Sequence, residues 1–200
     1  MPIAAMISIP KVREQFSLFG ELRPQPRSAW SGDIPLPEPL AEFYEQIGPW
    51  GKTYHENVGP VGITLSETAI SFPPLHRLWN LQAGYRWDAS NGQRVADWRD
   101  EWLVIADMNA DPFILDTQTG QILFARHGAG SWNADEFAPD LLTFVAAAAA
   151  IGVVFHHADE DLRDDDWELK PEYRKAAIRE AAMVLGDESD AELFFEALQG

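Results

Sequence analysis

Residues 102–132 read WLVIADMNADPFILDTQTGQILFARHGAGSW and carry the clearest structural pattern in the chain. Leu103 to Ala106 is a short apolar run and Pro112 to Asp116 is a second, and runs of this length predict buried strands. Thr117 to Gly120 predicts a turn, after which Gln121 to Arg126 resumes an extended pattern. We therefore predict a scaffold of strands joined by turns, and we recognise no cofactor loop or catalytic centre within it.

A glycine turn at His127 to Gly130 precedes a long alanine-rich segment. We predict that this turn leads into a helix from about Asp135 to Ile151, with Asn133 as its N-cap. The two acidic residues at 135 and 136 would then lie in the first turn, where the helix dipole favours negative charge. The apolar run from Leu141 to Phe155 is too short to span a bilayer and predicts a buried core helix.

The first third of the chain predicts two helices. Val12, Phe16 and Phe19 are spaced for one helical face. A second helix can begin near Pro37 to Pro39, because proline is favoured at the first helical position, and Gly48 ends it. The apolar stripe of this helix consists of Leu40, Phe43, Tyr44 and Ile47.

Extended structure is predicted between this second helix and residue 102. Alternation of apolar residues from Val58 to Leu65 predicts a strand. Asn91-Gly92 predicts a hairpin turn that separates Gly84–Ser90 from Gln93–Trp98. Asp97 to Glu101 is predicted to be a loop.

Two blocks of this sequence resemble a known family. The first is Leu36 to Gly48, which has a Leu-Pro pair, a helix with a Phe-Tyr pair, and a glycine. The second is Ile105 to Asp116 with the strand and helix that follow. Together they span roughly residues 10 to 155 and are similar to the SUKH superfamily, which includes the Smi/Knr cell-wall regulators of fungi and many bacterial immunity proteins. The resemblance implies an α+β fold with a central antiparallel or mixed sheet and helices packed on one side.

The chain changes character after Phe155. We predict a SUKH-like domain over residues 1–155, an acidic linker or loop over 156–170, and a two-helix C-terminal extension over 171–200. Pro171 is well placed to start a helix that runs to Leu185, with Gly186 as its stop. Ser189, with Glu192 three residues later, predicts a capping box for a last helix that runs from 190 to 198.

Composition limits the classes of partner. The 200 residues include 32 acidic and 15 basic side chains, a formal net charge of -17. Such a charge disfavours nucleic acid and anionic membranes as partners and favours a basic protein, whose encounter it steers. The alternative is that the charge only maintains solubility. The chain has no cysteine, which excludes a disulfide framework and is compatible with the cytoplasmic location that we predict.

Three possible chemical sites are weakly supported. His127 to Gly130 is similar to the oxyanion turn of some esterases, but none of the nine serines lies in a Gly-x-Ser-x-Gly elbow. The same turn forms an incomplete dinucleotide fingerprint that lacks its third glycine. His156 and His157 precede three acidic residues but lack the spacing of a helical zinc site. We therefore predict no catalytic residues, no cofactor and no metal.

The acidic segment that ends near Trp167 is the candidate for recognition of a partner. Residues 159–168 contain seven carboxylates and one arginine. They could form a charged rim around an aromatic anchor. The alternative is a hydrated loop with the indole tucked against the domain. The predicted partner-binding residues are Asp159, Glu160, Asp161, Asp164, Asp165, Asp166 and Trp167.

The resemblance implies a non-catalytic binding protein, and in a bacterium an immunity protein that neutralises a cognate toxin by stoichiometric binding. The acidic charge would complement a basic toxin such as a nuclease. Two alternatives stay open. One is a regulatory or scaffolding protein of the same superfamily, whose partner is a host component. The other is a hydrolase whose carboxylates or His127 converge only in three dimensions.

Overall fold

A computed structural model describes residues 7–53, 55 and 58–199. The predicted domain boundaries at residues 1 and 200 therefore lie outside the described residues. Between them the chain forms one six-stranded sheet, and every neighbouring pair of strands is antiparallel, in the order β1-β2-β3-β4-β5-β6. The strands are β1 Ile63–Thr64, β2 Ile70–Phe72, β3 Trp102–Met108, β4 Asp111–Asp116, β5 Ile122–Ala125 and β6 Ala134–Ala138.

Six helices accompany the sheet within the described residues, so the predicted α+β class is confirmed and the sheet is antiparallel rather than mixed. The helices are α1 Ile9–Phe16, α2 Glu38–Gln46, α3 Leu75–Leu78, α4 Leu141–Ala158, α5 Pro171–Leu185 and α6 Glu188–Gln199. Short 3-10 turns cover Arg27–Ala29, Asn80–Gln82 and Asp159–Leu162.

The predicted stripe of α2 is buried against the sheet. Leu40, Phe43 and Tyr44 belong to the main core, and Pro37 and Pro39 flank the first helical residue as expected. Gly48 ends this helical segment with a φ of 66°, and its amide donates to the Phe43 carbonyl at 3.1 Å. A Cβ at Gly48 would lie 1.9 Å from the Arg23 carbonyl oxygen, so this turn requires glycine for space as well as for its backbone angle.

Opposite faces of the sheet are covered differently. On one face, side chains such as Leu103, Phe113 and Leu115 join the helices in the main core. On the other face, Trp102 and Ile114 belong to a second, smaller cluster. The segment between β2 and β3 supplies the cover for this second face, with Tyr85 and Trp98 fully or nearly buried. The helices therefore pack on one side of the sheet, as predicted, and an aromatic loop packs on the other.

Buried Gln82 takes the place of a missing strand beside β3. β2 pairs with β3 at Ile70 and Ser71, and none of the strands in the described part of the chain pairs with the first half of β3 on that edge. Gln82 is 0% exposed, and its amide group donates to the Val104 carbonyl at 2.8 Å while accepting from the Val104 amide at 2.9 Å. One side chain thus satisfies two backbone groups that a longer β2 would otherwise pair.

The predicted start of the long helix is wrong. Residues 134–138 form β6, and the helix begins at Leu141. The N-cap is Asp140 instead of Asn133, and its carboxylate accepts from the Thr143 amide at 2.8 Å. Pro139 gives the physical reason, because proline inside a helix removes a hydrogen bond and clashes with the preceding turn. The glycine turn therefore leads into a sixth strand.

Helix α4 is the centre of the core. Its run of five alanines is buried, which allows close packing with α1 and α5. By length and composition the helical stretch Leu141–Leu162 could cross a membrane, but 67% of its most apolar window is buried within the protein. The helix continues to Ala158, so His156 and His157 lie in its last turn and not in a linker.

The C-terminal helices pack on the rest of the chain. Ala177 and Ala181 of α5, together with Phe194 and Phe195 of α6, belong to the main core. Gly186 ends α5 in the left-handed conformation, as predicted. The capping box at Ser189 is not formed, because α6 starts earlier and the side chain of Asp187 accepts the amides of 189 and 190 at 2.8 and 3.1 Å.

Two predicted extended segments are shorter than expected. Within Val58–Leu65 only Ile63 and Thr64 form a strand. Asn91-Gly92 does form a tight turn, in which the Gly92 amide donates to the Asp88 carbonyl at 2.8 Å. The flanking residues form an isolated bridge between Trp87 and Arg94 in place of a regular hairpin. Packing of the aromatic loop on the second face of the sheet takes precedence over strand pairing here.

Candidate partner-binding site

The acidic turn, residues 159–168, begins where α4 ends. Asp159 leaves the helix with a φ of 46°, and the turn continues as the 3-10 segment Asp159–Leu162. Leu162 is buried in the main core and anchors this end of the turn. An isolated bridge between Arg163 and Leu169 closes the other end. The acidic turn is therefore attached to the core at its first half and closed on itself at its second.

Several hydrogen bonds between residues close in sequence order the tip of the turn. The carboxylate of Asp164 accepts from the amides of Asp166 and Glu168, both at 3.0 Å. The Trp167 amide donates to the Asp164 carbonyl at 3.0 Å. Arg163 donates to the Trp167 carbonyl at 3.0 Å and forms an ion pair at 3.3 Å with Glu67, in the loop between β1 and β2. The turn is a defined structure that is tied to a distant part of the chain.

Trp167 projects into solvent from this turn. Its residue is 78% exposed, and its φ of 64° lies in the left-handed region. Residues with a bulky side chain adopt this region only rarely, at a cost of about 1 kcal/mol or more, whereas glycine adopts it freely. The exposure disagrees with one of the two alternatives from the sequence, an indole tucked against the domain, and the role of the indole as an anchor stays a prediction.

The seven predicted residues are not equivalent. Asp161 hydrogen-bonds Lys170 and Tyr173, and the bond from Lys170 is the main reason that its pKa is held below the usual value. Asp164 is engaged within the turn itself. Four carboxylates accept no hydrogen bond and form no ion pair with any of the residues that the structure describes, and they are the ones available to a partner. These are Asp159, Glu160, Asp165 and Asp166.

A second concave surface, the α6–β6 groove, was not predicted from the sequence. It has a volume of about 730 Å³ and lies between strand β6, the loop before it, and one face of helix α6. Phe124, Phe137 and Phe194 lie along its apolar floor, and Leu193 stands at its rim, 69% exposed. The groove was missed because residues 134–138 were expected to be helical. Pro139 followed by Asp140, a proline and a capping residue directly before the apolar run, was the signal that could have revealed the strand.

The geometry around His127 bears on the hydrolase alternative. His127 Nδ1 lies 2.6 Å from a carboxylate oxygen of Asp111, and the same oxygen accepts the backbone amide of His127 at 2.7 Å. Asp111 is buried and also faces Arg126 at 3.8 Å. Since it binds the main chain after β5, Asp111 has a structural role in holding that loop to β4. Among the described residues His127 hydrogen-bonds a single carboxylate, that of Asp111.

The two histidines at the end of α4 lie beside each other, with 5.9 Å between their ring centroids. The ring of His156 packs edge-on against Phe19, with 5.7 Å between ring centroids. Over residues 7–53, 55 and 58–199, no group of three or more His, Asp or Glu side chains is arranged to hold a metal ion.

Comparison with protein families supplies the remaining observation. The model of the SMI1 / KNR4 family (SUKH-1) matches residues 30–147, more than half of the chain. The chain belongs to this family. Separate comparisons with curated proteins and with solved structures returned no match. SUKH membership supports a binding protein of the immunity type at the level of the family, whose members are generally non-catalytic.

The matched residues contain the sheet, and the candidate partner-binding site lies outside them. They include α2, the six-stranded sheet and the first part of α4. The acidic turn, α5 and α6 all follow residue 147 and are therefore additions to the matched SUKH region.

Proposed function

We propose that this protein is an immunity protein that neutralises a cognate toxin by stoichiometric binding, with the acidic turn contacting a basic surface of the toxin. The observation that carries the proposal is Trp167, an exposed indole at a positive φ that directly follows the free carboxylates of Asp165 and Asp166. Large aromatic side chains are frequent hot spots of protein interfaces. SUKH family membership supports the general class of function.

Charge and shape have separate roles in this proposal. The carboxylates of Asp165 and Asp166 lie in solvent, where they steer a basic partner during encounter. Such rim charges mainly change the association rate and its dependence on salt. The indole of Trp167 would be desolvated in a pocket of the toxin, and loss of such a contact mainly raises the dissociation rate.

The first experiment is capture of partners from the native host with the tagged protein at low and high salt, followed by mass spectrometry. The proposal expects a single stoichiometric partner that is basic, that is retained at high salt, and whose toxic activity is inhibited by the purified protein. A host component captured in the same way would support a regulatory or scaffolding role instead. Recovery of only abundant basic proteins, all lost at modest salt, would contradict specific binding.

Variants of the turn then test the site with the captured partner. Trp167→Ala should weaken binding at least 30-fold, the effect of losing about 2 kcal/mol at a hot spot. The double variant D165N/D166N should slow association and flatten its salt dependence. The matched control is D33N/E42Q, which changes the net charge equally at two exposed positions outside the turn. Equal effects of the two double variants would show that only overall charge matters.

A cytoplasmic location is part of the same proposal, because the toxin must be neutralised inside the cell that carries it. Fractionation of the host cells tests this directly. Recovery of the protein in a membrane or external fraction would contradict it.

A further inference from the structure

The α6–β6 groove has the geometry of a docking site along a strand edge. Residues 135 to 139 line it consecutively, although side chains in a strand alternate between the two faces. The groove therefore extends from the side chain of Phe124 on β5 to the outer edge of β6, the last strand of the sheet, where no described strand pairs with it. An extended segment lying there could pair with the backbone of β6.

Helix α6 supplies the opposite wall. Asp190, Leu193, Phe194 and Ala197 line the groove at the i, i+3, i+4, i+7 spacing of one helical face. Phe194 packs on Phe137 at 4.4 Å between ring centroids and closes the floor, while Leu193 remains exposed. An exposed leucine above an aromatic floor offers a contact for a bulky apolar side chain.

The charges around the groove select the occupant. Asp135 and Glu136 on β6 and Asp190 on α6 provide three carboxylates. The one basic lining residue, Arg126, lies 3.8 Å from Asp111 and over the ring of Phe124, so part of its charge is compensated. A second copy of this chain would bring a net charge of -17 against this acidic rim, which argues against self-association.

We infer that the α6–β6 groove binds an extended, cationic segment of a protein partner, which pairs with β6 and places an apolar side chain against Leu193 and Phe194. This surface is distinct from the acidic turn. Thr143, near the start of α4, lines the groove, whereas the acidic turn follows the end of α4. A helix of 18 residues is about 27 Å long, so the two surfaces are separate.

The groove lies only partly within the residues that match the family. Its β6 wall lies within residues 30–147, but α6 lies outside them. The C-terminal helices thus convert a bare sheet edge into a groove with a second wall. Edge strands are commonly protected by charges and bulges, and β6 has both, with Phe137 as the extra residue opposite Ile122 and Leu123. The carboxylates of β6 would repel an acidic strand but would attract a cationic segment.

The test uses the full-length protein and a fluorescein-labelled peptide of alternating Lys and apolar residues, Lys-Val-Lys-Leu-Lys-Val-Lys, with an otherwise identical peptide carrying Glu for Lys. Binding is measured by fluorescence anisotropy, and amide hydrogen exchange locates it. We expect the cationic peptide to bind, the acidic one not to bind, and exchange of the β6 amides to slow. Binding without protection of β6 would overturn the inference.

Two matched variants separate the groove from general charge attraction. Leu193→Arg adds a positive charge at the rim, and Met183→Arg adds the same charge at an exposed position on α5, 47% exposed, that does not line the groove. We expect at least a tenfold loss of affinity for L193R and less than a twofold change for M183R. Equal losses would mean nonspecific attraction and would refute the docking site.

Two further measurements keep the outcomes distinct. Sedimentation of the wild-type protein that shows a dimer, dispersed in L193R, would assign the groove to a second copy and refute a cationic partner. Trp167→Ala should bind the peptide with unchanged affinity, because its site is at the other end of α4. A failure of the acidic turn therefore leaves this inference standing, and a failure of the groove leaves the proposed function standing.

Discussion

Replacing Trp167 by glycine should remove the anchor and relieve the backbone at the same time. At a φ of 64° an L-residue costs about 1–2 kcal/mol that glycine does not. Glycine also makes the unfolded chain more flexible than alanine does, which lowers the free energy of unfolding by about 0.5–1 kcal/mol. The difference predicts that Trp167→Gly is more stable than Trp167→Ala by about 0.5–1 kcal/mol.

The indole itself contributes little to stability in the free protein. With 78% of the residue exposed, only about 50 Å² of a large aromatic side chain is buried, which corresponds to about 1 kcal/mol. Trp167→Gly should therefore unfold within about 1 kcal/mol of the wild type. It should nevertheless weaken binding of the captured partner at least 30-fold, as at an interface hot spot.

Urea unfolding followed by circular dichroism measures these differences, since a change in midpoint at constant slope reports stability. Asp166 is the matched control, because its φ is not positive. There the order should reverse, with Asp166→Gly less stable than Asp166→Ala by about 0.5–1 kcal/mol. If glycine is the less stable residue at both positions, the left-handed backbone of Trp167 is refuted. If Trp167→Gly binds the partner like the wild type, the anchor is refuted.

Three further predictions test the fold and the acidic turn. Gln82→Leu leaves two buried backbone groups unpaired and should cost about 3 kcal/mol, whereas Gln118→Leu at an exposed turn should cost less than about 0.5, both by urea unfolding. Gly92→Ala should cost about 1 kcal/mol for its φ alone, and Gly51→Ala at least twice that because its Cβ would meet a carbonyl oxygen at 1.7 Å. The pKa of Asp161 is depressed, so Asp161→Asn should be less stable at pH 7, and the difference should vanish as the pH falls well below 3.8.

Apolar periodicity predicted the elements whose burial follows from their own residues. The stripe of α2, the buried runs of β3 and β4, and the glycine after α5 were all identified correctly. Strand β6 was not, because Asp135 and Glu136 have the composition of a first helical turn. Pairing with β5 overrides that preference, and a bulge at Phe137 interrupts the alternation by which a strand is recognised.

The candidate site was predictable in composition and not in geometry. Seven carboxylates in ten residues are visible in the sequence, as is the tryptophan among them. Which of them are free depends on contacts that the sequence does not display. The partner of Arg163 is Glu67, 96 residues earlier in the chain, and the partners of Asp161 belong to the start of the next helix.

The geometry of the acidic turn is difficult to explain as a solubility feature. A hydrated loop needs charge, which any arrangement of these residues supplies. A hydrated loop needs neither an ordered tip nor an exposed indole. Ordering the tip costs conformational entropy, and exposing the indole costs free energy because water must hydrate its apolar surface. The Asp164 carboxylate and Arg163 nevertheless fix the backbone on both sides of Trp167. An indole that projects into solvent from an ordered backbone at a positive φ buries its apolar surface only when a partner covers it, and this is the contact that the proposed function assigns to Trp167.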